Sequence, residues 1–567
     1  MIKKLKSGSA LICLAVALTF FISPLNAADK TAPNFIIFYM DDLSWAQTSV
    51  RMMDSEPESI SDFYHTPGVE RLAERGMRFT NGYCPTPTCT GSRISIQFGK
   101  TSARMQYRFV HDVLSKKQRP NGYTNEVSIA GVLKESGRNY ISAHFGKGVG
   151  VEQLKSVGYD VTDEFEVVAA NGNLHGDKVD IKSRAPLPVN NPKRIYSLTE
   201  SSVNFVREHA GKRPFYMMVS HYAVHVKHAA SPAVLARWQK KYDELKNKPT
   251  DKQALKEFEQ EHNALYGAML EEADANLGLL MDELEKAGEL ENTYIVFTSD
   301  NGSESIRRDE EGYRFCGPLK EGKYSTFEGG LRVPFVVAGP GIKPGSQCDV
   351  PVVQWDLLPT FSDLAGSKAQ LPESVDGGSL RYLFEQGNNG TVTRGAPGLV
   401  FHFPSYYQPP ISVIRIGDYK FMRHMNSNEI KLFNVKDDYR EQYDLAKSMP
   451  EKTAEMDLIL RNYITEVNGA DVKEVYQAFF EGMDNFEQRA ELKFQKEMDE
   501  LEKQKPVDID VQRNKLQKEL EEKKLGFDAK RKRCKAQMTW PSWYNSAKES
   551  TSNLSGINKQ SNTINKK

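Results

Sequence analysis

The stretch Asn34-Phe35-Ile36-Ile37-Phe38-Tyr39-Met40-Asp41-Asp42 decides the fold. Its apolar run shows no polar alternation, so it reads as a strand covered on both faces, and the abrupt pair of carboxylates marks its carboxyl end. Similar runs recur at 140–145, 214–220, 293–299 and 333–338. Helical signals lie between them. Thr66 and Pro67 suit a helix start, Val69, Leu72 and Ala73 make one apolar face, and Gly76 ends it. A long helix is expected over about 255–287, where Tyr266, Met269, Ala273, Leu277, Leu280 and Leu284 repeat at helical spacing before Gly288. Strand and helix alternate, which predicts an α/β domain with a mostly parallel sheet flanked by helices.

Beyond Gly398 the texture changes to short runs at 399–403, 412–416, 419–424 and 429–435, with a turn at Gly417-Asp418. They predict a small antiparallel sheet, followed by a helix with Met456, Leu460, Tyr463 and Val467 on one side. Residues 472–533 are rich in Lys and Glu with sparse apolar positions and are interrupted by Pro506, the pattern of a solvated helical hairpin. The polar end, 546–567, is predicted to be disordered. At the other end Lys3, Lys4 and Lys6 precede the apolar run 10–22 and Pro24-Leu25-Asn26-Ala27. This predicts a secretory signal, because a membrane-spanning helix needs about 20 apolar residues. The expected organisation is a signal peptide over 1–27, a main domain over 28–398, a C-terminal subdomain over 399–471, and a charged extension and tail over 472–567. The expected location is periplasmic or secreted, without a membrane span.

Composition narrows the function classes. The 567 residues carry 75 basic and 75 acidic side chains, so no long-range field favours a nucleic-acid backbone. A mean hydropathy of -0.55 argues against a polytopic membrane protein. Removing Cys13 with the signal leaves Cys84, Cys89, Cys316, Cys348 and Cys534, an odd number for an oxidising compartment. Cys84 is near enough in sequence to pair with Cys89, and spacing alone leaves that pairing open.

Two strand ends carry oxygen ligands: Asp41-Asp42 after the first run and Asp300-Asn301 after the run ending at Ser299. In open α/β sheets ligands collect outside the carboxyl ends of strands, so these four side chains are expected to converge. Three carboxylates and one amide oxygen suit a hard cation, Ca²⁺ or alternatively Mg²⁺. Either pair taken alone also reads as ordinary turn chemistry.

From Thr66-Pro67 through Cys89-Thr90-Gly91-Ser92-Arg93 to Gly99-Lys100 the chain resembles the signature of the type I sulfatases, in which the Cys of C-x-P/A-x-R is oxidised to formylglycine. Further blocks follow in the family's order: Phe145-Gly146-Lys147, the His225 region, Ser299-Asp300-Asn301-Gly302, Lys323 with Glu328 to Pro334, Trp355 to Thr360, and Asp376 to Leu380. The resemblance spans about Asn34 to Val467. It implies an alkaline-phosphatase-like α/β domain, a smaller C-terminal subdomain, and hydrolysis of sulfate esters. It also implies a maturation partner, either a formylglycine-generating or an anaerobic enzyme.

By that resemblance Asp41, Asp42, Asp300 and Asn301 hold one Ca²⁺. A hydrated formylglycine at Cys89 attacks sulfur in line, while Arg93, Lys147 and Lys323 offset charge on the nucleophile and the sulfate oxygens. His225 protonates the departing alcohol oxygen. His228 is expected to touch substrate. Phe401-His402-Phe403-Pro404 with Tyr406 and Tyr407 are expected to stack on a sugar, with interdomain packing as the competing reading. The expected substrate is therefore a sulfated carbohydrate.

Two positions depart from the family pattern. Gly91 stands where Pro or Ala is usual, and Gly148-Val149 stands where the family has Trp-His, with His144 and His175 the nearby imidazoles. A phosphatase or phosphodiesterase on the same scaffold is one alternative, which Cys89 followed by Arg93 disfavours. A catalytically impaired relative that binds sulfated glycans is the other, resting on Gly91 and Val149.

Overall fold

The computed structural model describes residues 32–108, 123–148, 151–163, 191–226, 228–249, 251–304, 317–405, 409–427, 429–504 and 506–536. The expected signal peptide, Val149, His175, Cys316, Tyr406, Tyr407 and the polar tail lie outside the described residues.

Among the described residues the strands are β1 (Asn34–Met40), β2 (Met77–Phe79), β3 (Gly82–Tyr83), β4 (Ile141–Gly146), β5 (Val161–Thr162), β6 (Phe215–Ser220), β7 (Thr293–Ser299), β8 (Phe335–Ala338), β9 (Ser346–Cys348), β10 (Val352–Val353), β11 (Leu399–Phe403), β12 (Ile411–Ile416), β13 (Tyr419–His424) and β14 (Ile430–Asn434). Eight form one sheet in the order β5-β4-β6-β1-β7-β8-β2-β9. The sheet is mostly parallel, with β8 antiparallel to both β7 and β2.

β1 explains why its sequence lacks alternation. Ile36, Phe38 and Met40 enter one core with the helices Pro67–Arg75, Ile195–His209 and Ala264–Lys286. Phe35, Ile37 and Tyr39 enter a second core on the opposite face with the helices Cys89–Phe98, Ile129–Glu135 and Leu357–Leu364. Each fully buried large apolar side chain contributes about 1.5–3 kcal/mol, so both faces of the strand are held.

The long helix expected over 255–287 is two helices, Lys252–Glu261 and Ala264–Lys286. The first ends at the extended His262, and Asn263 starts the second: its backbone is extended and its side chain accepts the Tyr266 N–H at 2.9 Å, an N-cap that apolar periodicity does not reveal.

β11-β12-β13-β14 form the separate antiparallel sheet. Leu399, Phe401, Val413, Met422 and Phe433 pack against Tyr83, Leu331, Val333 and Trp355 of the main domain. Val400, Ile414, Phe421 and Leu432 pack against Met456, Leu460 and Tyr463 of the helix Pro450–Glu466. The helices Val472–Gln504 and Ile509–Ala536 form the hairpin, joined through Pro506, with Val472, Tyr476, Phe479 and Met483 against Cys534 at its base. Among the described residues no helix is long and apolar enough to cross a membrane.

Candidate active site

Strand register builds the site. β1 and β7 pair from Asn34 opposite Thr293 to Met40 opposite Ser299, so Asp41 and Asp300 leave the sheet at one level, and Asp300 N–H donates to the Met40 carbonyl at 3.1 Å. On the other side Ser220 of β6 lies opposite both Tyr39 and Gly146, which brings Lys147 to the same level, its N–H donating to the Ser220 carbonyl at 2.8 Å. Asp42 turns away with φ of 63°, a left-handed conformation that Asp tolerates better than most residues, and its N–H donates to Asp300 Oδ1 at 3.1 Å.

Three cations meet these three carboxylates. Lys147 Nζ donates to Asp41 Oδ2, Lys323 Nζ lies 2.7 Å from Asp42 Oδ2, and Arg93 Nε lies 2.9 Å from Asp300 Oδ2. Burial alone would raise the Asp42 pKa, but Lys323 and His225 outweigh it and hold the carboxyl below its usual range. Asp300 is pushed up to about 7 by burial and by Asp41, against the opposing pull of Arg93 and Lys147. A further positive charge at this point would therefore relieve real carboxylate repulsion.

Cys89 opens the helix Cys89–Phe98, whose N-terminus favours negative charge. It is 6% exposed, and its Sγ with one oxygen each from Asp41 and Asp300 forms a group whose atoms lie within 4.8 Å of one another. The preceding turn is fixed by Ser92, whose Oγ accepts the Thr86 N–H at 3.1 Å and donates to the Thr86 carbonyl at 2.9 Å. A Cβ at Gly91 would stand 2.6 Å from both Thr86 Oγ1 and Tyr107 Cε1. The Tyr107 hydroxyl lies 2.9 Å from Thr88 Oγ1, so this ring occupies the space that Pro or Ala would need.

Asp41 Oδ1 and Asn301 Oδ1 are buried without a hydrogen-bond partner, although Asn301 Nδ2 donates to Asp42 Oδ1 at 2.7 Å. Buried oxygens left open beside two more carboxylates are what an oxygen-loving divalent cation would satisfy, so the residues present fit such an ion. His225 Nε2 lies 3.7 Å from Asp42 Oδ2, and burial together with Lys323 lowers its pKa to about 4.

The sulfatase family model matches residues 33–367, more than half of the chain. The chain belongs to the sulfatase family. A sulfatase of Formosa agariphila is 27% identical over 521 residues, covering 76% of this chain and 87% of the relative. Arylsulfatase A of Homo sapiens is 29% identical over 420 residues, covering 68% and 74%. The solved structure of Ps i-CgsB in complex with k-i-k-neocarrahexaose superposes with a TM-score of 0.58 at 22% identity, covering 76% of this chain and 93% of that one. This sulfatase is a sulfuric ester hydrolase, of the type I family in the alkaline phosphatase superfamily.

The structure brings Cys89, Arg93, Lys147, His225 and Lys323 together with Asp41, Asp42, Asp300 and Asn301. Arg93 sits at the site with its donors engaged. Besides Asp300 it donates to the Lys147 carbonyl at 3.1 Å, to Ser220 Oγ, and weakly to the His221 carbonyl at 3.5 Å, so its donors face protein groups. In this geometry it ties Asp300 to the Lys147 backbone. His228 is half-buried with its ring edge-on to Tyr266, and burial and Lys193 lower its pKa to about 4 while Asp42 opposes them.

His402 is not at the site. It is fully buried, its Nδ1 lying 2.8 Å from Ser412 Oγ and its Nε2 3.0 Å from the Ala470 carbonyl. Phe401 and Phe403 are buried too, Phe401 against Tyr83 and Trp355, so the expected sugar platform is interdomain packing at these three residues. His144 is likewise buried within β4, with its ring edge-on to Tyr159, which sets it apart from a solvent-reached base. Each described cysteine is a free thiol, so Cys84 and Cys89 are not joined; Cys84 Sγ instead points to the Thr86 carbonyl at 3.1 Å.

Sequence reading missed Ser220, Tyr107 and Lys193. Ser220 links Arg93 to the Lys147 carbonyl, and Lys193 is fully buried near His228. Ser220 ends a buried strand beside β1, which ends in acids, a signal that was available in the apolar run itself.

Proposed function

We propose that this sulfatase is an exported enzyme that removes sulfate from carbohydrates, using formylglycine formed from Cys89 and a divalent cation, Ca²⁺ in the first instance. The observation that supports it best is the grouping of Cys89 Sγ with Asp41 and Asp300 oxygens beside the open oxygens Asp41 Oδ1 and Asn301 Oδ1.

Formylglycine, when hydrated, supplies a hydroxyl nucleophile, and a cation held by Asp41, Asp42, Asp300 and Asn301 favours its ionised form near neutral pH. The remaining chemistry belongs to the chain's own side chains. Lys147 and Lys323 place their ammonium groups beside Asp41 and Asp42, and with those carboxylates facing a cation they would offset charge on the sulfate oxygens. Arg93 keeps Asp300 in place. His225, half-buried beside Asp42, delivers a proton to the departing alcohol oxygen; the anionic substrate raises its proton affinity above that of the free enzyme. His228, three residues further on and near enough to feel Asp42, would meet the leaving group.

The carbohydrate class draws support from the ligand named for Ps i-CgsB and from the charged amino end followed by a short apolar run that suits export. The test is release of inorganic sulfate from a panel of sulfated saccharides by the matured enzyme, with Cys89→Ala alongside. Activity on at least one saccharide that falls by several orders of magnitude in Cys89→Ala supports the reading. Activity confined to non-carbohydrate esters, or retained in Cys89→Ala, overturns it.

A further inference from the structure

A second cluster of ionisable groups lies buried between the two sheets. Lys420 of β13 is fully buried, with Nζ 2.9 Å from Glu328 Oε1 and 2.9 Å from Glu441 Oε1. Glu328 and Glu441 are fully buried as well, and Glu441 Oε2 accepts the Glu328 N–H at 2.7 Å. The Tyr83 hydroxyl donates to Glu328 Oε2 at 2.6 Å.

Glu328 begins the short turn Glu328–Leu331, and this turn touches the segments that lead to Asn301, Lys323 and Cys89. Gly302, next to Asn301, donates its N–H to the Gly330 carbonyl at 3.1 Å, and a Cβ there would stand 1.8 Å from the Gly329 carbonyl oxygen. Gly329 N–H donates to the Lys320 carbonyl at 2.9 Å, and Lys323 N–H to the Ser303 carbonyl at 2.9 Å. Cys84, in the loop leading to Cys89, donates its N–H to the Leu331 carbonyl at 2.9 Å.

A buried ion cluster is weak evidence for stability, because well-packed apolar residues of similar volume often do as well. What charges add here is direction: one ammonium, held between two carboxylates, joins Tyr83 and Arg332 in fixing where Glu328 sits. We infer that Lys420, reaching in from the C-terminal sheet, is a positioning residue for sulfate ester hydrolysis: by clamping Glu328 and Glu441 it holds the turn that sets Asn301, Lys323 and the Cys89 loop relative to one another. The C-terminal sheet thus contributes a positioning residue to the catalytic apparatus. This rests on the reading above that Lys323 meets the sulfate oxygens.

The test uses the full-length, matured protein and its Lys420→Met, Lys420→Arg and Glu441→Gln variants. Two quantities are measured on folded protein: the dissociation constant for inorganic sulfate by calorimetry, and kcat/KM on an aryl sulfate ester per matured site. A displacement near 1 Å at reacting groups costs about 10²-fold, so Lys420→Met is expected to lose about 10²-fold in kcat/KM and about tenfold in sulfate affinity, with Lys420→Arg recovering most of both. Sulfate binding needs no turnover, so a wild type that binds sulfate but does not react points to failure of the formylglycine reading instead. Wild-type values of both quantities in folded Lys420→Met overturn the positioning role. If Lys420→Met does not fold, Glu441→Gln decides: it keeps the side-chain shape and the Lys420–Glu328 pair, and a loss of about threefold or more in both quantities supports the role. Unchanged values in that variant overturn it.

Discussion

Restoring the family's small side chain at Gly91 should damage this enzyme unless Tyr107 is changed with it. The added Cβ would lie 2.6 Å from Thr86 Oγ1 and 2.6 and 2.7 Å from Tyr107 Cε1 and Cδ1. Carbon contacts are comfortable at about 3.5–4.0 Å, so either the ring or the start of the nucleophile helix must move by roughly 1 Å. Overpacking of this kind costs about 1–3 kcal/mol in stability, and a 1 Å shift of the nucleophile costs about 10²-fold in rate. Gly91→Ala is thus expected to lower kcat per matured site by between about tenfold and 10²-fold. Because position 91 lies inside the maturation motif, formylglycine content must be measured by mass spectrometry in every variant and used to normalise the rate. Tyr107→Leu in the Gly91→Ala background removes the clash and should recover at least about tenfold, a non-additive effect expected of touching residues. Wild-type kcat and melting temperature in Gly91→Ala, with equal maturation, would refute the packing argument.

His225→Ala should lower kcat by about 10² to 10⁴-fold on esters of ordinary alcohols and far less on aryl sulfates with acidic leaving groups. Equal losses on both would show that His225 does not supply the proton. Chelation of divalent cations should abolish activity and lower the melting temperature, and Ca²⁺ at 100 times its dissociation constant should return about 2.7 kcal/mol; full activity after exhaustive chelation contradicts the cation assignment. Burial lowers the His402 pKa to about 4, with the Ala470 carbonyl and Asp471 opposing, so between that value and its ordinary 6.5 the unfolded chain binds the proton first. Its contribution is complete above pH 6.5 and is lost as the pH falls toward 4, by about 2 kcal/mol at pH 5. His402→Gln should therefore flatten the decline of melting temperature between pH 7 and pH 5, and an unchanged slope counts against the buried neutral imidazole.

The sheet was legible because β1 and β7 are buried on both faces and end in acids, so composition and punctuation coincide at Met40-Asp41 and Ser299-Asp300. The nine residues that the structure gathers were named from that punctuation together with the family blocks. The break at Asn263 was hidden because apolar positions keep their spacing across it, while the capping bond is a property of one side chain. His402 misled for a related reason: an aromatic run near a domain junction is equally suited to a ligand and to packing, and only the bonds to Ser412 and Ala470 distinguish them. Tyr107 filling the space at Gly91, and Lys420 meeting Glu328 across 92 positions, are long-range contacts that no local pattern announces.

The central claim is that Cys89 is the precursor of the nucleophile. Its most direct test is mass spectrometry of the Cys89 peptide from protein purified in active form, with turnover measured on the same sample. If Cys89 is that precursor, sulfur and two hydrogens are replaced by one oxygen at Cys89 and activity scales with the converted fraction. Full activity from protein whose Cys89 remains an unmodified thiol would contradict it.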